Sequence, residues 1–188
     1  AGCCAASGLC ACARATMADD VVPLSAVPIL LQIIAQPGHP SREESLGMLC
    51  DLVASSFGQD GMILGDSVRT SGGLLTLSWL LADPDSELLK LALFLVANLS
   101  SDAVDGNSHL TKALLLQCGT EFRLVPCLSH EDVDVVTYSL ASVQNLSHDE
   151  DWARVIVEHG AEPRLEELVD HADNGAARHE EGGRLSQG

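Results

Sequence analysis

The sequence is poor in aromatic residues and in cations. Only 3% of its 188 residues are Phe, Trp or Tyr, and 10 Lys and Arg stand against 27 Asp and Glu, which gives a formal net charge of −17. A negative field of this strength repels phosphate backbones and anionic lipid. We therefore expect no nucleic acid as partner and no membrane insertion. The expected partner is a protein or peptide, and the negative charge would suit a basic one. No run of 18 apolar residues is present, so the sequence predicts no transmembrane helix.

The sequence also lacks the short motifs of familiar catalytic sites. It contains no Gly-x-Ser-x-Gly, no phosphate-binding loop, no His-Glu-x-x-His and no Gly-x-Gly-x-x-Gly after a strand. His130, Glu131 and Asp132 are close together, but they span a turn and the start of a helix, where the helix dipole favours acids. We predict that the protein is not an enzyme, with no catalytic residues, no metal site and no cofactor. An enzyme with an unrecognised site is the remote alternative.

The seven cysteines do not follow the pattern of a disulfide-rich domain. Cys50, Cys118 and Cys127 lie within apolar runs at helical spacing, where cysteines are most often buried thiols that pack as small hydrophobic side chains. The other four belong to residues 1–20, a low-complexity Ala- and Cys-rich segment that is either a targeting remnant or non-native sequence ahead of Met17. We expect a cytoplasmic protein, with an organelle as the alternative if residues 1–16 are a targeting remnant.

Apolar residues recur along the chain at an offset of 47 residues. Such a period is typical of repeat proteins, in which each unit buries its apolar face only against its neighbours. Three all-leucine triplets at one offset are improbable by chance, even in a leucine-rich chain. The triplets are Leu30, Leu77 and Leu124; Leu46, Leu93 and Leu140; and Leu52, Leu99 and Leu146.

Each copy has the same internal plan. A short apolar helix leads through a polar turn into a longer amphipathic helix, which is followed by a loop and another helical stretch. Ser41 with Glu44 three residues later predicts a capping box at the first long helix, and Asp85, Ser86 or both are expected to cap the second. The short helices are predicted at 27–35, 74–82 and 121–129, and the long helices at 41–55, 86–100 and 132–147.

The third helical stretch differs between the copies. We predict it at 110–118 and 152–159, each followed by a glycine that stops the helix. Residues 56–73 contain five glycines and are predicted to form only a short or irregular helix. The predicted domains are a segment at 1–20, a repeat domain at 21–172 with repeats at about 24–73, 74–119, 120–160 and a partial one at 161–172, and a flexible acidic, Gly-rich tail at 173–188.

The ends of the long helices carry the pattern of a known repeat family. Residues 91–100 read Leu-Ala-Leu-Phe-Leu-Val-Ala-Asn-Leu-Ser and residues 138–147 read Tyr-Ser-Leu-Ala-Ser-Val-Gln-Asn-Leu-Ser. Over residues 24–171 the sequence resembles armadillo-repeat (ARM/HEAT-type) helical solenoids. The resemblance implies an all-α fold, a right-handed α-α superhelix of about three armadillo-like repeats plus a partial fourth. The segments 40–49 and 122–127 also resemble the serum amyloid A-like protein family, which implies no known chemistry.

The armadillo resemblance implies a partner-binding groove at four positions. The asparagine at the place of Asn98 and Asn145 faces the concave groove in armadillo proteins, and its amide offers a donor and an acceptor to the main chain of an extended peptide. Asp51 stands where the family has Asn. Importin-alpha-like members have Trp four residues earlier, where this sequence offers only Phe94 as an aromatic residue. The alternative is that the two asparagines brace neighbouring repeats.

The function that we predict is a non-catalytic protein-protein interaction module or scaffold that binds a peptide or a neighbouring subunit on the concave face of the solenoid. The alternative is a small structural or peripheral subunit of a larger complex. Such a subunit would dock through the solenoid ends or through the N-terminal segment.

Overall fold

The computed structural model describes residues 22–170, and that part of the chain is all-α. A single 3₁₀ turn at Leu24–Ala26 precedes the first α-helix. The α-helices are α1 (Val27–Ile34), α2 (Arg42–Ser55), α3 (Gln59–Thr70), α4 (Gly73–Leu80), α5 (Ser86–Leu99), α6 (Ser108–Gln117), α7 (Glu121–Cys127), α8 (Val133–Leu146), α9 (Glu150–Glu158) and α10 (residues 162–170). The predicted short and long helices of all three copies are therefore confirmed to within one residue, except that α4 and α7 each end two residues early.

The helices form a right-handed superhelix of about three armadillo-like repeats with a partial fourth, as the sequence predicts. The long helices α2, α5 and α8 lie side by side with α5 in the middle, and the short helices α1, α4 and α7 each pack against the long helix that follows them. Helices α3 and α6 pack against α4. Each unit thus covers the apolar face of the next, which is the source of the core in a solenoid.

The leucine triplets form the centre of this core. Eight of the nine leucines are buried, and Leu140 is partly buried against the same cluster. Burial of one such side chain contributes about 1.5–3 kcal/mol, so the repeated columns supply much of the stacking energy. Cys50 and Cys127 are buried as predicted, whereas Cys118 is only half-buried.

Aspartate side chains begin three of the helices. The carboxylates of Asp85, Asp132 and Asp149 each accept a hydrogen bond from the backbone N–H two residues later, over 2.9, 2.8 and 3.0 Å. The predicted capping box at Ser41 is wrong, because the Ser41 side chain makes no capping bond. Its backbone angles, φ −98° and ψ 18°, are not the extended ones of a side-chain cap, and its N–H donates to Nδ1 of His39 at 3.1 Å.

The predicted glycine stops of α6 and α9 are confirmed. Gly119 and Gly160 have φ angles of 64° and 78°. This left-handed conformation ends a helix at little cost only when the residue has no Cβ.

The expectation of a short or irregular helix within 56–73 is wrong, because residues 59–70 form the regular helix α3. Two of its glycines are buried against the segment 101–107. A Cβ on Gly61 would overlap the carbonyl oxygen of Val104, and one on Gly65 would overlap the carboxylate of Asp105. The glycines lower helix propensity, but they let this segment pack directly on the helix backbone.

The predicted segment 1–20 and the predicted tail 173–188 lie outside the described residues, and the boundaries of the repeats stay predictions. Within residues 22–170, no helix is long and apolar enough to cross a membrane.

Candidate functional site

One face of the three long helices is open to solvent and carries the four predicted groove residues. Asn98 and Asn145 occupy the same register on the adjacent helices α5 and α8, and Asp51 has that register on α2. Asp51 is exposed, whereas Phe94, Asn98 and Asn145 are half-buried. The structure thus places all four side chains on the long helices that the sequence assigns to the groove. Each helix packs against that of the next copy, with α5 between α2 and α8.

Both asparagine amides are held by one hydrogen bond. The Nδ2 group of Asn145 donates to the carbonyl oxygen of Ala97 at 2.8 Å, which joins α8 to α5, and Nδ2 of Asn98 donates to the carbonyl oxygen of Phe94 in its own helix at 2.8 Å. Asn145 therefore braces two repeats, as the alternative expected. Each amide keeps one N–H and its Oδ1, and neither Oδ1 accepts a hydrogen bond from residues 22–170.

An aromatic pair lies beside the asparagines. The rings of Phe94 and Tyr138 meet edge to face, with centroids 6.1 Å apart and an interplanar angle of 90°. Tyr138 was missed as a groove residue. The sequence signal that could have found it is its spacing. Tyr138 lies about one helical turn before Ala141 and two turns before Asn145, so all three lie on the same side of α8.

The charge of this face is negative. Glu44 and Asp51 are exposed on α2, and the lysine of α5, Lys90, pairs with Glu87 at 2.7 Å and with Asp132 at 3.3 Å. The hydrogen bond to Glu87 raises the pKa of Lys90, with the carboxylate of Asp132 as a further cause. Lys90 is thus protonated, but its charge is balanced by the two paired carboxylates. The carboxylates of α2, unpaired within residues 22–170, therefore make the electrostatic potential of this face negative.

Two further depressions of the described surface lie outside this face. A cavity of about 420 Å³ between α6 and α9 contains Asp149, whose carboxylate caps α9. A groove of about 540 Å³ between α9 and α10 is lined partly by Val157, Leu165 and Val169. In residues 22–170, no group of three or more His, Cys, Asp or Glu is placed to hold a metal ion.

The fold is similar to that of designed armadillo repeat proteins. One of them superposes with a TM-score of 0.65 at 21% identity over 78% of this chain and 58% of its own. A second, solved in complex with the peptide (KR)4, has a TM-score of 0.64 at 20% identity over 79% of this chain and 58% of its own. Computationally designed armadillo repeat proteins for modular peptide recognition give a TM-score of 0.66 at 21% identity over 78% of this chain and 58% of theirs.

The chain therefore spans a little under three fifths of the length of these structures. Its sequence matches no protein-family model and no curated protein. The likeness establishes an armadillo-like helical repeat fold. The resemblance to the serum amyloid A-like family has no support in these comparisons.

Proposed function

We propose that the chain is a non-catalytic binding module that holds an extended basic peptide across the open face of α2, α5 and α8. The observation that carries this proposal is that two side-chain amides on this face keep unused hydrogen-bonding groups. Asn98 and Asn145 share one register, each is fixed by a single hydrogen bond, and each keeps one donor and one acceptor for a ligand. A donor and an acceptor together match the C=O and N–H of an extended main chain, and a fixed amide loses little rotamer freedom on binding.

The charge of the same face supports a basic ligand. Glu44 and Asp51 are exposed on α2, and the Asp51 carboxylate makes no ion pair with the described residues. A Lys or Arg side chain of the peptide would contact this carboxylate while its main chain runs over Asn98 and Asn145. A structural neighbour of the same fold is solved with the peptide (KR)4. For this chain, the (KR)4 peptide is accordingly the first probe to use.

The alternative role, a structural subunit that docks through an end of the solenoid, stays a prediction. The groove between α9 and α10 is compatible with it, since Val157 and Val169 are 53% and 59% exposed there, beside the acids Glu162, Glu166 and Asp170.

Fluorescence anisotropy with labelled (KR)4 tests the proposal. We expect saturable one-to-one binding to the full chain in 0.15 M salt, and a dissociation constant about tenfold higher for Asn98→Ala, because one or two ligand hydrogen bonds are lost. Asp51→Asn is expected to weaken (KR)4 and to leave an uncharged Gly-Ser peptide unaffected.

The matched control is Gln36→Ala. Its amide also donates to a backbone carbonyl four residues earlier, at 3.0 Å, but it lies away from the open face. Binding of (KR)4 that is unchanged in Asn98→Ala and disappears at 0.5 M salt would show non-specific attraction to an acidic protein and would sink the proposal.

A further inference from the structure

A second open surface lies on the short helices α4 and α7. Leu75 and Trp79 on α4 are 51% and 61% exposed, and Phe122 on α7 is 65% exposed. Leu75 and Trp79 are one helical turn apart, so they lie on the same side of α4. Phe122 is 47 residues after Leu75 and has the equivalent position in the next repeat. We call these three side chains, with Arg123, the α4–α7 face.

Arg123 is fixed at this surface by three contacts. Its guanidinium carbon lies 4.0 Å from the centroid of the Trp79 ring. Its Nη1 donates to Oγ of Ser78 at 3.4 Å and to the carbonyl oxygen of Gly119 at 3.2 Å. The Nε and Nη2 groups make no hydrogen bond to residues 22–170. The guanidinium is therefore held in one orientation, and its Nε–H and Nη2–H can together donate to the two oxygens of one carboxylate.

Arg123 differs from the other cations of the described chain. Residues 22–170 contain seven Lys and Arg, and six of them lie within 4.0 Å of an Asp or Glu oxygen. Arg123 is the exception among these residues. In a chain with 27 acids, a cation that packs on an exposed aromatic ring and has no carboxylate partner among the described residues is unusual.

The two helices offer Arg123 no carboxylate of their own. Helix α4 has no charged residue, and Glu121, the acid of α7, is buried with its Oε2 unpartnered and forms no ion pair within 22–170. The α4–α7 face thus combines exposed apolar side chains with one arginine, on a protein whose net charge is strongly negative. At its edge the imidazole of His159 packs edge to face on the Phe122 ring, with centroids 4.6 Å apart.

We propose that the α4–α7 face docks a partner segment in which apolar side chains surround one carboxylate. The carboxylate pairs with Nε and Nη2 of Arg123, and the apolar side chains pack on Leu75, Trp79 and Phe122. Trp and Arg are the residues that most often dominate binding energies at interfaces. A second copy of the chain fits less well, because a two-fold contact through this face would bring two unpaired arginines together. Anionic lipid is disfavoured by the net charge.

This face differs from the open face of α2, α5 and α8 in the ligand that it selects. The open face attracts cations and uses amides, whereas the α4–α7 face attracts one anion and uses aromatic rings. The two proposals therefore stand or fall independently.

The test begins with a displayed library of random 12-residue peptides, selected on the immobilised full chain. We expect the enriched peptides to contain Asp or Glu flanked by Leu, Ile, Phe or Trp. A synthetic peptide of the consensus sequence should lose at least tenfold in affinity with Arg123→Gln and with Trp79→Ser. Arg123→Lys should lose less affinity than Arg123→Gln, because lysine keeps the positive charge but cannot donate two parallel hydrogen bonds to one carboxylate. The Asn98→Ala variant is the matched control and should bind the peptide normally.

Fluorine NMR of protein labelled with 5-fluorotryptophan locates the binding. The chain has two tryptophans, the exposed Trp79 and the fully buried Trp152, whose indole donates to the carbonyl oxygen of Lys112 at 2.9 Å. We expect the peptide to shift the Trp79 resonance and to leave the Trp152 resonance in place.

Several outcomes would overturn the proposal. They are the absence of enriched peptides, enriched peptides without an acid, and affinities that Arg123→Gln does not change. A dimer of the free chain that dissociates in Trp79→Ser, measured by light scattering, would assign the face to a second copy instead. Circular dichroism and the melting temperature verify that each variant folds.

Discussion

The side-chain amide of Asn145 donates to the carbonyl oxygen of Ala97 at 2.8 Å and so ties α8 to α5. Asn98, at the equivalent position one repeat earlier, donates to Phe94 within its own helix. The same residue type at the same register thus has a structural role between repeats in one case and a local role in the other. This difference allows stability and binding to be separated experimentally.

We expect Asn145→Ala to lower the free energy of unfolding by about 1–3 kcal/mol, because the Ala97 carbonyl, on a buried residue, loses its side-chain partner. Asn98→Ala should cost less than about 1 kcal/mol, since its bond lies within one helix. Urea denaturation followed by circular dichroism measures both values. Equal losses in the two variants would show that the bond between α8 and α5 contributes nothing specific.

Two glycines in helices allow a matched test of backbone packing. Gly65→Ala should destabilise the chain by about 1–3 kcal/mol, because the new methyl group overlaps the carboxylate of Asp105. Gly47→Ala should stabilise it by about 0.5–1 kcal/mol, because a Cβ there meets nothing within 4 Å and alanine favours the helix. Thermal melts should show a lower melting temperature for Gly65→Ala and a higher one for Gly47→Ala than for wild type. A stabilising Gly65→Ala would contradict the close packing of 101–107 on α3.

Arg69 of α3 contacts two carboxylates of unequal burial, Asp105 in the segment before α6 and Asp66 in its own helix. It contacts the fully buried Asp105 at 2.5 Å and the exposed Asp66 at 2.5 Å. Burial alone would lower the pKa of Arg69, but the hydrogen bonds to Asp66 and Asp105 outweigh it and raise the pKa. Asp105→Ala should cost about 3–5 kcal/mol, because the buried guanidinium of Arg69 then keeps only the exposed Asp66 as a carboxylate partner.

Asp66→Asn is the control for Asp105→Ala, and it should cost less than about 1 kcal/mol because exposed ion pairs are weak. The measurement is the free energy of unfolding in urea. If the two substitutions cost the same, the contact between Arg69 and Asp105 is not the one that stabilises the repeats.

The Cys127 thiol predicts a loss of stability at high pH. Burial raises its pKa from 9.0 to about 11, so the folded chain holds the proton more tightly than the unfolded chain. The stabilising contribution is complete below pH 9 and is lost as the pH rises towards 11. The melting temperature should fall less steeply between pH 8.5 and 10.5 in Cys127→Ala than in wild type. A slope that Cys127→Ala leaves unchanged would argue against a buried thiol at this position.

The stacking of the repeats could be predicted from the sequence because it depends on one recurrent property, the burial of leucine at a fixed offset. Leu77 and Leu93 are fully buried where the 47-residue period places them. The helix α3 could not be predicted in the same way. Glycine lowers helix propensity locally, and the contacts that compensate for Gly61 and Gly65 come from residues about 40 positions later.

The candidate sites show a similar limit. The register of Asn98 and Asn145 is visible in the sequence, but the acceptor that each amide uses depends on helix separation and rotamer. The contact between Trp79 and Arg123 joins residues 44 positions apart and leaves no periodic signal. Sequence patterns thus predict which helices face one another more readily than which polar groups stay unpaired.

The most direct test of the central claim is an NMR titration of the full chain with (KR)4, which follows the side-chain amide signals of Asn98 and Asn145 together with the indole signals of Trp79 and Trp152. Single alanine substitutions assign the amide signals. The account predicts that both amide signals shift with a common dissociation constant while both indole signals stay in place. A shift of the Trp79 signal with unmoved asparagine signals, or no saturable shift at all, would contradict it.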